Sequence, residues 1–183
     1  RLWQGLVLVA FVMLAVGAGA VGLVVFGDED LGMGEEGFSV LLSALAVGTL
    51  AGAVVIGRGD PAFPKGRLLV MAALMAGAML VLMSRVDRVP LALALMFLVG
   101  VAASLVLVPF TTMLQEGLGD TVMGTGFGML SMGLTAPLLV GVAIAGPVIE
   151  GRGVGDLFTL TGLLLMAVGL VSVPLSGLWR SRG

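Results

Sequence analysis

The chain has 183 residues, of which 59% are hydrophobic and 11% are charged, and its formal net charge is −2. Soluble globular domains average about 25% charged residues, so this composition excludes an ordinary water-soluble fold. The chain contains no cysteine and no histidine, which excludes disulfides and removes the commonest metal ligand and general base. We therefore predict no metal site, no cofactor and no nucleic-acid partner.

The charged residues fall into seven short clusters, and the six stretches between the clusters carry no formal charge. Each stretch is close to or longer than the ~20 residues that a helix needs to cross a ~30 Å hydrocarbon core. Because a charge at the bilayer centre costs about 2.5–3.5 kcal/mol, such windows indicate transmembrane helices in the lipid bilayer. We predict an all-α membrane protein with a single six-span domain over 1–183. The spans are about 2–27, 37–57, 67–84, 89–115, 123–149 and 157–179.

The first predicted span begins at the first residue, Arg1, which is not a methionine. We therefore expect that an upstream part of the protein is missing. An alternative interpretation takes 1–20 as a secretory signal, because Ala18-Gly19-Ala20 resembles a cleavage site. The uncharged run continues to Gly27, beyond the ~7–15 apolar residues of a signal, which favours a transmembrane span.

The basic residues are divided unequally between the two ends of the predicted bundle. With six spans, both termini share one side, which holds six basic residues, whereas the other side holds three. The positive-inside rule places the richer side in the cytoplasm. We predict a multi-pass protein of the cell inner membrane with both termini in the cytoplasm. The inner residues are Arg1, Arg58, Lys65, Arg67, Arg180 and Arg182, and the outer ones are Arg85, Arg88 and Arg152.

Small residues one helical turn apart occur in four of the predicted spans. Such pairs let helix backbones approach closely, and the same smooth faces could instead slide during a conformational cycle. Prolines inside three spans favour kinks. The small pairs are Ala18 and Gly22, Gly48 and Gly52, Ala73 and Gly77, and Gly124 and Gly128. The prolines are Pro109, Pro137, Pro147 and Pro174.

The strongest local motif lies at the join of the fourth and fifth predicted spans. Its residues are Pro109, Thr112, Gln115, Glu116, Asp120, Gly124, Phe127 and Gly128. This run resembles the join between the tenth and eleventh spans of the major facilitator superfamily, in its bacterial drug-efflux branch of macrolide and multidrug efflux-like proteins. Thr125 stands where that family usually has arginine.

Two further stretches resemble the superfamily less closely. Asp60, Lys65, Gly66 and Arg67 are similar to its inner-loop signature, although a proline-flanked insert changes the spacing. In the family such charges latch the inner ends of helices, and a simple positive-inside anchor is the open alternative. The glycines of the fifth span, with Gly146-Pro147, are similar to the pattern of the superfamily's antiporters.

The resemblance implies the C-terminal six-helix half of a twelve-helix carrier, built as two inverted three-helix repeats. It implies a secondary active transporter that exports a hydrophobic or weakly polar small molecule by alternating access, with an N-terminal six-helix half as partner. The substrate-pathway candidates are Ser104, Thr111, Thr112, Gln115, Ser131 and Thr135. The inner-loop gating candidates are Asp60, Lys65, Arg67, Glu116 and Asp120.

Each pathway hydroxyl also has a packing interpretation, in which it donates a hydrogen bond to its own helix. Protons are the candidate coupling ion. Because no span has an ionisable group away from its ends, we expect any coupling carboxylate in the partner half.

The alternatives to a transporter are an enzyme and a non-transporting membrane protein. We predict no enzyme activity, because Ser131 is the best candidate nucleophile and the chain offers it no histidine or buried acid as an activator. A non-transporting membrane scaffold or anchor subunit remains the alternative function.

Overall fold

The computed structural model describes residues 2–58, 65–117 and 123–175, with side chains described at 9–34, 36–58, 68, 70–108 and 134–171. The described residues form six α-helices and no strand, which confirms the predicted all-helical class. The helices are α1 Leu2–Val25, α2 Gly37–Gly57, α3 Lys65–Met83, α4 Val89–Gly117, α5 Met123–Arg152 and α6 Val154–Leu175.

Within the described residues, five helices are long and apolar enough to cross a membrane. In α3 the described apolar segment, Val70–Met83, is shorter than the other five. The chain is therefore an all-helical protein whose apolar helices are those of a multi-pass membrane protein. The five segments are Val9–Asp30, Gly37–Gly57, Val89–Val108, Leu134–Arg152 and Val154–Val171.

Glycines form the tight connections at one end of the bundle. After α1, a π-helical turn at Phe26–Asp30 leads to Gly32 and Gly34, whose φ angles of 61° and 64° are left-handed. A single residue, Gly153, separates α5 from α6, and its φ is 87°. Its N–H donates a hydrogen bond to the carbonyl of Ile149 at 2.8 Å. Only glycine adopts these angles without steric cost, so these residues allow the chain to reverse direction.

The six helices pack mainly in three pairs. The closest pairs are α1 with α5, α2 with α4, and α3 with α6, and lesser contacts join α3 to α4 and α1 to α6. The apolar segments of α2 and α5 are only 17% and 11% buried, against 39% in α1, α4 and α6. Of these five described segments, those of α2 and α5 are therefore the least covered by the rest of the protein.

The largest apolar cluster among the described side chains includes residues near the glycine turns. Phe26 and Phe158 are buried there with ring centroids 5.5 Å apart and ring planes at 86°, an edge-to-face arrangement. This contact fixes the end of α1 to the start of α6. Leu41 of α2 and Met83 of α3 are fully buried in the same cluster. In a bilayer such packing stabilises the bundle through dispersion contacts, because lipid is as apolar as the core.

Candidate functional site

Ser104 and Thr135 are the two pathway candidates whose side chains are described. Ser104 of α4 is 1% exposed and lies against Gly52 of α2. Its hydroxyl donates a 2.7 Å hydrogen bond to the carbonyl of Val101. Thr135 is exposed on α5. The structure thus places these two residues on different helix pairs, one inside a helix contact and the other on an exposed face.

The other four pathway candidates are placed by their backbones alone. Thr111, Thr112 and Gln115 lie in the last turns of α4, and Ser131 lies in α5. Their side chains fall outside the described set, so their role stays a prediction.

Three of the five gating candidates fall at one end of the bundle. Lys65 and Arg67 are in the first turn of α3, and Glu116 is in the last turn of α4. Because α3 and α4 pack together and are joined only by 84–88, the start of α3 and the end of α4 lie at the same end. The side chains of these three residues are not described, and Asp60 and Asp120 lie outside the described residues.

Among the described residues, the buried hydroxyls of Ser104 and Thr161 and the partly buried hydroxyl of Thr49 bond within their own helices. Thr161 donates to the carbonyl of Leu157 at 2.7 Å, and Thr49 donates to that of Leu45 at 2.9 Å, as Ser104 does to Val101. No buried side-chain nitrogen or oxygen in the described part lacks a hydrogen-bond partner. This is the arrangement that the packing interpretation predicts for these hydroxyls.

Reciprocal glycine contacts hold α1 against α5. A β-carbon at Gly17 would lie 3.0 Å from the carbonyl carbon of Leu138 and would overlap its oxygen. Conversely, a β-carbon at Gly141 would overlap the carbonyl oxygen of Leu14. Only glycine at both positions permits this approach, which brings Cα–H groups against carbonyl oxygens.

The contact between α2 and α4 has the same construction. A β-carbon at Gly100 would overlap the carbonyl oxygen of Leu45, and one at Gly48 would overlap that of Phe97. On all four helices the glycine follows the carbonyl-bearing residue by three positions. The two crossings therefore share a Leu/Phe-x-x-Gly pattern on both of their helices. The four instances are Leu14 and Gly17, Leu45 and Gly48, Phe97 and Gly100, and Leu138 and Gly141.

The contact between α3 and α6 is reciprocal between two glycines. A β-carbon at Gly77 would lie 2.6 Å from the carbonyl oxygen of Gly162, and one at Gly162 would lie 2.5 Å from that of Gly77. Each glycine thus faces the backbone of the other.

The sequence predicted part of this set. Close packing is confirmed for Gly48 with Gly52 and for Ala73 with Gly77, and also at Gly22, which faces Leu157 and Phe158 of α6. The side chains around Gly124 and Gly128 fall outside the described set. The predicted close-packing pairs do not include four glycines that pack closely in the structure, namely Gly17, Gly100, Gly141 and Gly162. The repeated Leu/Phe-x-x-Gly pattern is a sequence signal for the first three.

The charges at the glycine-turn end are mostly acidic and exposed. The clusters at this end contain eight acidic and three basic residues. Those with described side chains are all exposed. Among the described residues, no group of three or more acidic side chains is placed to hold a metal ion. The acidic residues are Asp28, Glu29, Asp30, Glu35, Glu36, Asp87, Glu150 and Asp156.

The fold and the charged ends define an all-helical, multi-pass membrane protein. Comparison with protein-family models, curated proteins and solved structures finds no match for this chain.

Proposed function

We propose that this chain is one six-helix half of a secondary transporter of the major facilitator type. It acts with a second six-helix half and exports a hydrophobic or weakly polar small molecule by alternating access. The observation that supports this proposal best is a symmetry of the helix contacts, which we call the exchange relation. It makes α1 the counterpart of α4, α2 that of α5 and α3 that of α6. When every helix is exchanged with its counterpart, the main contacts are reproduced.

The exchange relation holds for the five most extensive contacts between helices, whereas the smaller contact of α5 with α6 has no counterpart of similar extent between α2 and α3. Replacing each helix by its counterpart converts the α1–α5 pair into the α4–α2 pair and returns the α3–α6 pair to itself. It also converts the α3–α4 contact into the α6–α1 contact, and all five contacts are present. Because consecutive spans alternate in direction, α1 and α4 cross the bilayer in opposite senses. The relation therefore supports two inverted repeats, as in transporters of this type.

The same exchange relates individual contacts. The contact of Gly17 in α1 with the Leu138 carbonyl of α5 corresponds to the contact of Gly100 in α4 with the Leu45 carbonyl of α2. The contact of Gly141 with Leu14 likewise corresponds to that of Gly48 with Phe97. The contact of Gly77 with Gly162 maps onto itself, which is expected where a pseudo-two-fold axis passes between two helices. Unrelated close packing gives no reason for this agreement.

The exposure of α2 and α5 supports a second helical unit as partner. These helices are counterparts in the exchange relation, and they are the two with the least buried apolar segments. Large aliphatic residues face outward on both, such as Leu50 at 69% and Leu139 at 59% exposure. An N-terminal half of the same carrier would cover part of these faces, and lipid would cover the rest.

The exposed faces of α1 and α4 support an apolar substrate. Val16, Ala20 and Val24 are exposed on α1, and Leu98 and Leu107 are exposed on α4. In the proposed carrier these first and fourth spans line the pathway. A wall of uncharged aliphatic side chains suits a neutral lipophilic solute. A coupling carboxylate would then belong to the other half, because ionisable groups within spans mark ion pathways and these spans have none.

The proposal is tested first on the gene and then by transport. Six further apolar spans are expected in the same reading frame upstream of Arg1. Efflux-deficient cells that express the full-length product and are loaded with the neutral dye Nile red should lose the dye faster than cells without it. The variant Gly48→Leu should abolish this efflux, whereas Gly57→Leu on the same helix should retain it, because Gly57 has open space around it. If expression in the membrane is verified and the full-length protein does not change the rate of dye loss, the proposal is overturned.

The uncovered faces of α2 and α5 also suit the second candidate, a non-transporting scaffold. A photo-crosslinking residue at the exposed position Leu50 distinguishes the two functions. The carrier predicts crosslinks within the same polypeptide, whereas a scaffold predicts a crosslink to a different membrane protein together with unchanged dye efflux.

A further inference from the structure

We draw no further inference here: the strongest candidate, the exposed aliphatic face of α1 formed by Val16, Ala20 and Val24, belongs to the wall of the pathway already proposed, and nothing in the structure shows what covers it.

Discussion

The contact of α1 with α5 predicts that two glycines on the same helix respond differently to the same substitution. Gly17 faces the Leu138 carbonyl, whereas Gly19 has no heavy atom within 4 Å of an added β-carbon. We compare Gly17→Ala with Gly19→Ala. Both substitutions restrict the backbone of the unfolded chain equally, and alanine is more favourable than glycine in a helix by about 1 kcal/mol. This gain is the same in both variants and cancels in the comparison.

The difference between the two variants is the steric cost at Gly17. The colliding atom is a backbone oxygen of α5, so no side-chain rotation relieves the overlap and the helices must separate. Overpacking of this kind costs about 1–3 kcal/mol, and the lost Cα–H···O contact adds about 0.5–1 kcal/mol. We expect Gly17→Ala to be less stable than Gly19→Ala by about 1.5–4 kcal/mol.

The assay is unfolding of the full chain in mixed detergent micelles by titration with SDS, followed by far-UV circular dichroism. The free energy of unfolding should fall for Gly17→Ala and should stay the same or rise for Gly19→Ala. Equal free energies for the two variants would refute the close approach of α1 to the Leu138 carbonyl.

Three further predictions follow from the helix contacts, and a fourth follows from the distribution of charge. Gly100→Ala should lower the free energy of unfolding by an amount similar to Gly17→Ala, within about 1 kcal/mol, because the two glycines are counterparts; a neutral Gly100→Ala would contradict the inverted repeats. Ser104→Ala should change stability by less than about 1 kcal/mol, since the described hydrogen bond of its hydroxyl is to a carbonyl of α4 itself; a larger loss in the same titration would show that the hydroxyl also stabilises the contact with Gly52 of α2. A protease site inserted within 84–88 of the folded full chain should be cleaved without separating the fragments on size-exclusion chromatography, because all five main helix contacts cross this loop; separation would show that the fragments are independent. Because the chain has no cysteine, a maleimide that cannot cross membranes should label Asp87→Cys in intact cells and Arg58→Cys only after lysis, and the reverse pattern would invert the predicted orientation.

The helix ends show what charge patterning can and cannot predict. The sixth uncharged stretch begins after Asp156, yet α6 starts at Val154 and includes this carboxylate in its first turn. An acidic residue is favourable there because of the positive end of the helix dipole. Likewise α5 continues through Glu150 to Arg152, a cation in the last turn. The first or last charge beside an uncharged stretch therefore does not mark the residue at which a helix ends.

The contacts between helices were less predictable than the helices themselves. The chain has 30 glycines, and composition does not separate Gly17, which faces α5, from Gly19, which faces open space. The deciding quantity is the direction of each residue on the assembled helix, and that depends on partners far away in the sequence. For Ser104, the sequence left both a pathway role and a packing role open; the structure places its hydroxyl in the contact of α4 with α2, and the pathway role stays a prediction.

The pairing of α1 with α5 has a consequence for synthesis on the ribosome. Helix α1 ends at Val25, and its main partner begins only at Met123. At translation rates of roughly 5–20 residues per second, α1 waits about 5–20 s in the membrane before this partner emerges. The pairs α2–α4 and α3–α6 impose shorter delays of about 2–6 s and about 4–14 s, so the first three helices enter the bilayer with their glycine faces against lipid or the insertion machinery. Assembly is therefore a late, non-local event with high contact order, and the nascent chain is most open to misassembly and degradation before α5 and α6 are made.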